Sequence, residues 1–257
     1  MIEGTASRTA RSVAAHRLDY PRLEAPYGAP AADEALARDV AAGLEPAHGR
    51  MHDYLRARTA FFDRIVVNTI DGGDAQVVVG GAGYDGRSLR YARPGTTWFE
   101  LDHPDTQADK RERLGRLGID AGHVRFVPAD FTTDPIADPL TAAGLDRRRP
   151  ALFLLEGVAV YLTSEVLERV FGEFRSVTPA GSVLAISVLV WPDDQARARF
   201  RESVAAVGEQ ARSALQVREL RGLLARTGWQ VTDPGDPSRD RRPAAGLMVA
   251  RAIPPSS

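Results

Sequence analysis

The sequence predicts an open, doubly wound α/β fold. It has a mostly parallel seven-stranded sheet, an N-terminal helical cap and an antiparallel strand at the C-terminal edge. Three observations carry that expectation. From Ala75 onward, short apolar runs alternate with amphipathic helical stretches. A glycine-rich turn follows the first of those runs. A long, largely helical stretch precedes it, ending at Asp71-Gly72-Gly73. The 257 residues then read as one domain, with residues 1–73 as cap and 74–257 as α/β core.

Each element has its own warrant. Pro21 to Ala31 is rich in Pro, Gly and Ala and reads as loop. In AADEALARDVAAGL, Ala35, Leu36, Val40 and Leu44 share a helical face. The stretch from about His52 to Ile70 carries the stripe Tyr54, Leu55, Phe61, Phe62, Ile65, Val66 and Ile70, and the glycines after it stop the helix. AQVVVGG, TTWFELD, HVRFVPAD, ALFLLEG and GSVLAISVLV are five strand candidates separated by helix-like segments. That alternation implies right-handed crossovers and a parallel sheet covered on both faces. In TSEVLERVFGEFRSV, Val166, Leu167, Val170, Phe171 and Phe174 recur at helical spacing. VRELRGLLARTG is a helix, and WQVTD and AAGLMVARAI close the chain as a hairpin. PSRDRRP and the terminal PPSS read as mobile.

Composition excludes several classes of function. With no cysteine there is no disulfide framework, thiol nucleophile or Cys-ligated metal. The 33 basic and 34 acidic side chains give a formal charge of −1, which argues against nucleic acid or an anionic membrane as partner. No apolar run approaches the roughly 18–20 residues of a membrane span. The N-terminus lacks the apolar centre of a secretory signal, so a cytoplasmic location is expected. His48 and His52 stand four apart without a third ligand, which reads as a solvated helix start, and no metal is expected. Arg147-Arg148-Arg149 reads as a solvated loop. No nucleophile elbow or phosphate-binding P-loop is present.

The turn itself, Gly81-Ala82-Gly83-Tyr84-Asp85-Gly86, satisfies G-x-G-x-x-G literally. Glu100 and Asp102 close the next strand, where a carboxylate accepts hydrogen bonds from ribose hydroxyls in a Rossmann-type unit. These features fit either a nicotinamide or flavin dinucleotide or S-adenosylmethionine (SAM). Other features favour SAM. The cap precedes the first strand. Asp130-Phe131 follows the third strand, positioned to serve an adenine by carboxylate and ring. Glu156 ends the fourth, where a carboxylate suits the ammonium of a methionine moiety.

Taken in order, Arg58-Thr59-x-Phe61-Phe62-Asp63, the GAGYD turn, FELDHP with Lys110, VPADF and EGVAVYL resemble the leucine carboxyl methyltransferase family over roughly Arg58 to Ser187. The resemblance implies a class I methyltransferase fold with sheet order 3-2-1-4-5-7-6. It implies that Arg58 reaches the SAM carboxylate, that the Gly81-Ala82-Gly83 turn passes beneath the methionine portion and that Asp85 belongs to the same cofactor site. It further implies Asp102 on the ribose, Asp130 and Phe131 on the adenine, Glu156 near the ammonium and Tyr161 on the substrate side. Tyr161 and Glu156 are thus the candidate catalytic residues. Gly86 stands where the family's turn usually has Thr, and the substrate-covering insertion near Val190–Ser213 reads as reduced.

A carboxylate is ionised at neutral pH and needs no general base, whereas a phenol or amine more often does. His103 follows the ribose acid and is badly placed for base work. The expectation is therefore a SAM-dependent O-methyltransferase acting on a carboxylate or acidic hydroxyl of a small molecule or peptide. An NAD(P)-dependent oxidoreductase and a SAM-binding protein without transfer activity are the alternatives.

Overall fold

A computed structural model describes residues 7–44, 50–188, 195, 198–199, 202, 217–232 and 247–254. His48, most of Val190–Ser213, the PSRDRRP stretch and the last three residues lie outside the described residues.

The cap opens with α1 (Arg8–His16), which the sequence reading missed, and a single 3-10 turn, Arg17–Asp19. Ser7 caps α1 by accepting from the Ala10 N–H at 3.1 Å. Helix α2 (Pro30–Ala41) starts on a proline, whose missing N–H costs nothing there. Helix α3 (Arg50–Asp71) buries Leu55, Phe62, Val66 and Ile70 along one stripe.

The core alternates as expected. The elements are β1 (Gln76–Gly80), α4 (Arg87–Arg90), β2 (Thr97–Asp102), α5 (Pro104–Arg116), β3 (Val124–Pro128), α6 (Ala137–Ala142) and β4 (Ala151–Leu155). A 3-10 turn at Ala159–Tyr161 leads to α7 (Ser164–Ser176) and β5 (Val183–Ser187). After these come α8 (Val217–Arg226), β6 (Trp229–Thr232) and β7 (Leu247–Ala252). The helix-like stretch after the glycine turn is only the four residues of α4. All four are buried, so its chain is committed to packing.

The seven strands lie in the order β3-β2-β1-β4-β5-β7-β6. Strands β1 to β5 pair in parallel, and β7 runs antiparallel to both β5 and β6, one place in from the edge. Successive side chains on a strand point to opposite faces. Val77 and Val79 therefore meet Phe62, Val66 and Ile70 of α3, while Val78, Phe153 and Leu155 meet Phe171 and Phe174 of α7 and Leu224 of α8. Trp229 closes the second layer, its indole N–H donating to the Phe171 carbonyl at 3.0 Å. A third apolar cluster, with Ala14, Leu36 and Val40 against Tyr84, Leu89 and Leu114, fixes the cap to the core. The strand order reverses between β1 and β4, and a crevice opens there at the carboxyl ends of the strands.

Candidate functional site at the β1–β4 crevice

The glycine turn leaves β1 with Gly81 at φ +65° and Gly83 at φ +50°, a region that L side chains rarely adopt. Space is short as well. A Cβ on Gly81 would overlap the Val158 side chain, and one on Gly83 would come within 2.9 Å of the Ala10 Cβ in α1. The Ala82 N–H donates to the Leu101 carbonyl at 3.0 Å, tying the turn to β2.

The two acids at the end of β2 have separate roles. Glu100 is buried, accepting from Lys110 Nζ at 2.6 Å and from the Ser88 hydroxyl at 2.6 Å. Asp102 accepts only main-chain donors among the described residues: the Gly83 N–H, and the His103 N–H at 2.6 Å. Burial pushes its carboxyl up to about 6, against the pull of those two N–H groups. Of the two acids, Asp102 alone has no side-chain hydrogen-bond partner among the described residues.

Beside the turn, α3, α4 and the cap converge on a buried ion network. Arg87, fully buried at the start of α4, donates to Asp63 at 2.7 Å, Asp85 at 2.5 Å, Glu156 at 2.6 Å and the Thr59 carbonyl at 3.3 Å. Arg58 donates from Nε to Glu156 at 3.0 Å. Arg17 approaches Glu156 at 3.3 Å and Asp85 at 3.4 Å, and its Nε is buried without a hydrogen-bond partner among the described residues. Arg22 pairs with Asp63 at 2.6 Å and Asp33 at 3.1 Å. Arg90 pairs with Asp33 at 2.5 Å and with the more exposed Glu34 at 3.1 Å. Five arginines thus face four buried carboxylates, with Glu34 at the rim. Burial alone would raise Glu156, but the charges of Arg87, Arg17 and Arg58 outweigh it and hold its carboxyl well below the usual range. Asp85 is lowered in the same way by Arg17 and Arg87 against burial.

The network also accounts for Gly86. A Cβ there would overlap Oδ1 of Asp33, which α2 brings against the turn. The third glycine of the literal G-x-G-x-x-G serves the cap, and the four-residue α4 behind it is too short to offer a developed dipole to a pyrophosphate.

The other expected residues line the same edge. Asp130 accepts from the Thr132 N–H at 2.8 Å and hydroxyl at 2.7 Å, bonds that hold its carboxyl low despite burial. Phe131 belongs to the core layer under Gly80. Tyr161 ends the 3-10 turn after β4 and is half-buried. Gly157, at φ +74°, lies where a Cβ would come within 2.9 Å of the Arg58 guanidinium. His103 caps α5, its Nδ1 accepting from the Asp105 N–H at 3.3 Å. Sequence reasoning missed Arg17, Arg22, Arg87, Arg90 and Asp33. The one local signal was Asp85 followed by Arg87, Arg90 and Arg93, after ten uncharged residues.

The family model of the leucine carboxyl methyltransferases matches residues 10–175. A protein of Mycobacterium sp. strain KMS, named by inference a SAM-dependent methyltransferase, is 37% identical over 165 residues. That alignment covers 63% of this chain and 53% of the relative. A similarly named protein of Mycobacterium avium strain 104 is 33% identical over 187 residues, 72% of this chain and 60% of that one. The chain thus spans a little over half the length of these relatives. In fold it is similar to a methyltransferase, also assigned by inference, from Thermobifida fusca YX. The TM-score is 0.61 at 19% identity, covering 98% of this chain and 96% of the other.

Proposed function

Because the chain belongs to the leucine carboxyl methyltransferase family, we propose that it is a SAM-dependent methyltransferase. Its reaction is O-methylation of a carboxylate or acidic hydroxyl on a small molecule or peptide. The observation that carries the reading is the pairing of Asp102 with an arginine-rich ion network, Arg17 Nε still unsatisfied among the described residues, across the β1–β4 crevice. Asp102 offers an acceptor to a ribose diol. The network balances five arginines with five carboxylates once Glu34 is counted, but Arg17 Nε is unsatisfied among the described residues, so it can take an added carboxylate such as that of a methionine moiety. The turn at Gly81–Gly83 and Asp130 complete the candidate cofactor side.

SAM supplies a methyl group already activated by sulfonium, so the protein's part is alignment and exclusion of water. Arg58 fixes the amino-acid end. Glu156, already held by three arginines, orients those cations, which leaves less of it for the ammonium expected from the resemblance. Tyr161 stands on the acceptor side. The dinucleotide alternative loses its footing because Gly86 serves Asp33 rather than a phosphate.

Calorimetry tests this directly. SAM and S-adenosylhomocysteine are expected to bind and NAD to give no heat. Tight NAD binding without a SAM signal would overturn the cofactor. Radiolabelled methyl transfer across carboxylic acids, phenols and amines then tests the acceptor class.

A further inference from the structure

Helix α7 reaches the loop between β3 and α6 with one pair of side chains. Arg169 and Glu173 stand four apart on that helix and pair at 2.7 Å. Arg169 Nη2 donates to the Phe131 carbonyl, and Nη1 donates to the Asp134 carbonyl at 2.7 Å. The other oxygen of Glu173 accepts the Ile136 N–H at 2.5 Å and the Ala137 N–H at 2.9 Å, where α6 begins. The loop has no ladder of its own, so α7 satisfies these main-chain groups instead. Asp134 passes the restraint on, its carboxylate accepting the Asp130 N–H at 2.9 Å. At Asp130 both Thr132 donors bond to Oδ1, and Oδ2 accepts no hydrogen bond among the described residues. The preceding residue, Ala129, donates its N–H to the Asp102 carbonyl at 2.8 Å. That bond sets Asp130 beside Asp102 across the β2–β3 pair.

From this geometry, and resting on the methyltransferase reading above, we infer that Arg169 is a positioning residue for base selectivity. With Glu173 it holds Asp130 Oδ2 where that oxygen accepts from the exocyclic amine of adenine, so the site rejects a purine with a carbonyl in that place. Arg169 touches no ligand and acts only through the loop. Its planar fork donates to two carbonyls and a carboxylate at once, which the single ammonium of a lysine does less well. The Phe131 ring packs in the core layer under Gly80 and sets the depth of the loop. Arg169 takes the carbonyl of the same residue and sets the loop's direction along the sheet edge. A carboxylate oxygen with an open lone pair accepts an N–H and repels a carbonyl oxygen. A site built this way discriminates strongly only while its polar group is held in register.

The probes are S-adenosylhomocysteine and S-inosylhomocysteine, which carries a carbonyl in place of the amine, titrated calorimetrically into the full chain. Wild type is expected to prefer the adenosyl compound by about tenfold or more, the worth of one hydrogen bond to a charged group. Arg169→Met is expected to bring that ratio to about twofold or less, by weakening the adenosyl compound and sparing the inosyl one. Arg169→Lys keeps the charge and loses the fork. It is expected to lose about threefold in the ratio, and it carries the test if Arg169→Met fails to fold. Arg226→Met breaks the other ion pair of α7, with Glu168 at 3.0 Å, and is expected to leave the ratio unchanged. An Arg169 variant that keeps the wild-type ratio, including one that weakens both compounds equally, overturns the inference, since the arginine would then only stabilise the fold. A ratio that falls equally in Arg226→Met overturns it as well, because any loosening of α7 would suffice. Wild type that binds both compounds alike removes Asp130 from the base and the inference with it. Failure of wild type to bind S-adenosylhomocysteine at all overturns the methyltransferase reading instead.

Discussion

Asp102 is a carboxylate held by two N–H groups and raised by burial from 3.8 to about 6. Because the folded value lies above the unfolded one, its contribution to stability is fully present below about 3.8 and is lost as pH rises through about 6. At neutral pH the ionised group is therefore a cost to the apo fold, which a ligand with hydroxyl donors relieves. Ribose hydroxyls donate best to the ionised form, so affinity for S-adenosylhomocysteine is expected to fall as pH drops through about 6 and to level off above it. Asp102→Asn should bind about 1–3 kcal/mol more weakly at neutral pH and lose the step. It should also gain more in melting temperature over wild type at neutral pH than at pH values below about 6. Calorimetry over a pH series of wild type and variant checks the assignment, because a step that survives the substitution comes from another group. A wild-type affinity flat across that range would remove Asp102 from the ligand.

At the scale of elements, the strands and α3 were legible because a buried sheet and an amphipathic helix write their periods into local sequence. Phe62, Val66 and Ile70, and the run Val77–Val79, are such cases. Two things were not legible. Helix α1 is short and polar, with Arg8 and Arg11 in its first turns, and it is held by a Ser7 cap, by the Ser7 N–H donating to the Thr106 hydroxyl at 3.2 Å and by Ala10 against Gly83. The ion network joins residues as far apart as Arg17 and Glu156, and pairs so distant leave no periodic trace. Gly86 shows the consequence. From sequence it looked like a departure from the family's turn or the last glycine of a dinucleotide motif. In the structure it is the gap into which α2 inserts Asp33. Its φ is −99°, so a side chain meets no backbone penalty and any cost comes from the overlap with Asp33. Gly86→Ala is expected to destabilise by about 1–3 kcal/mol through overpacking. Asp33→Ala removes the overlapping carboxylate, so in that background the Gly86→Ala cost should largely vanish. Thermal melts of the four-protein cycle measure the coupling, and additive losses would show that the two positions do not meet.

At the scale of the whole chain, buried ion pairs and an apolar cluster join the cap to the α/β core among the described residues. Arg17, Arg22 and Asp33 come from the cap, and their partners Asp85, Glu156, Asp63 and Arg90 come from elements beyond it or from α3. Deleting residues 1–44 would remove two cations, Arg17 and Arg22, and two anions, Asp33 and Glu34, from this network. Asp85 would lose Arg17, Asp63 would lose Arg22, and Arg90 would lose both acids of α2. Breaking a buried pair by removing one partner costs several kcal/mol, since the charge left behind is desolvated and unmatched. The same deletion strips Ala14, Leu36 and Val40 from the apolar cluster around Tyr84, Leu89 and Leu114. Together these losses approach the roughly 5–15 kcal/mol that holds a domain of ordinary stability. The truncated chain is therefore expected to lack a cooperative melt, even though every strand of the sheet remains in it. Partial compensation is built in, because water reaching Asp85 and Glu156 would rehydrate them, so the comparison should be made by calorimetric melting and not by solubility. A truncated protein that melts sharply near the full-length temperature would show that the α/β core is self-sufficient. The glycine turn would then be only covered by the cap, and the ion network would have to be reread as a feature of ligand binding alone.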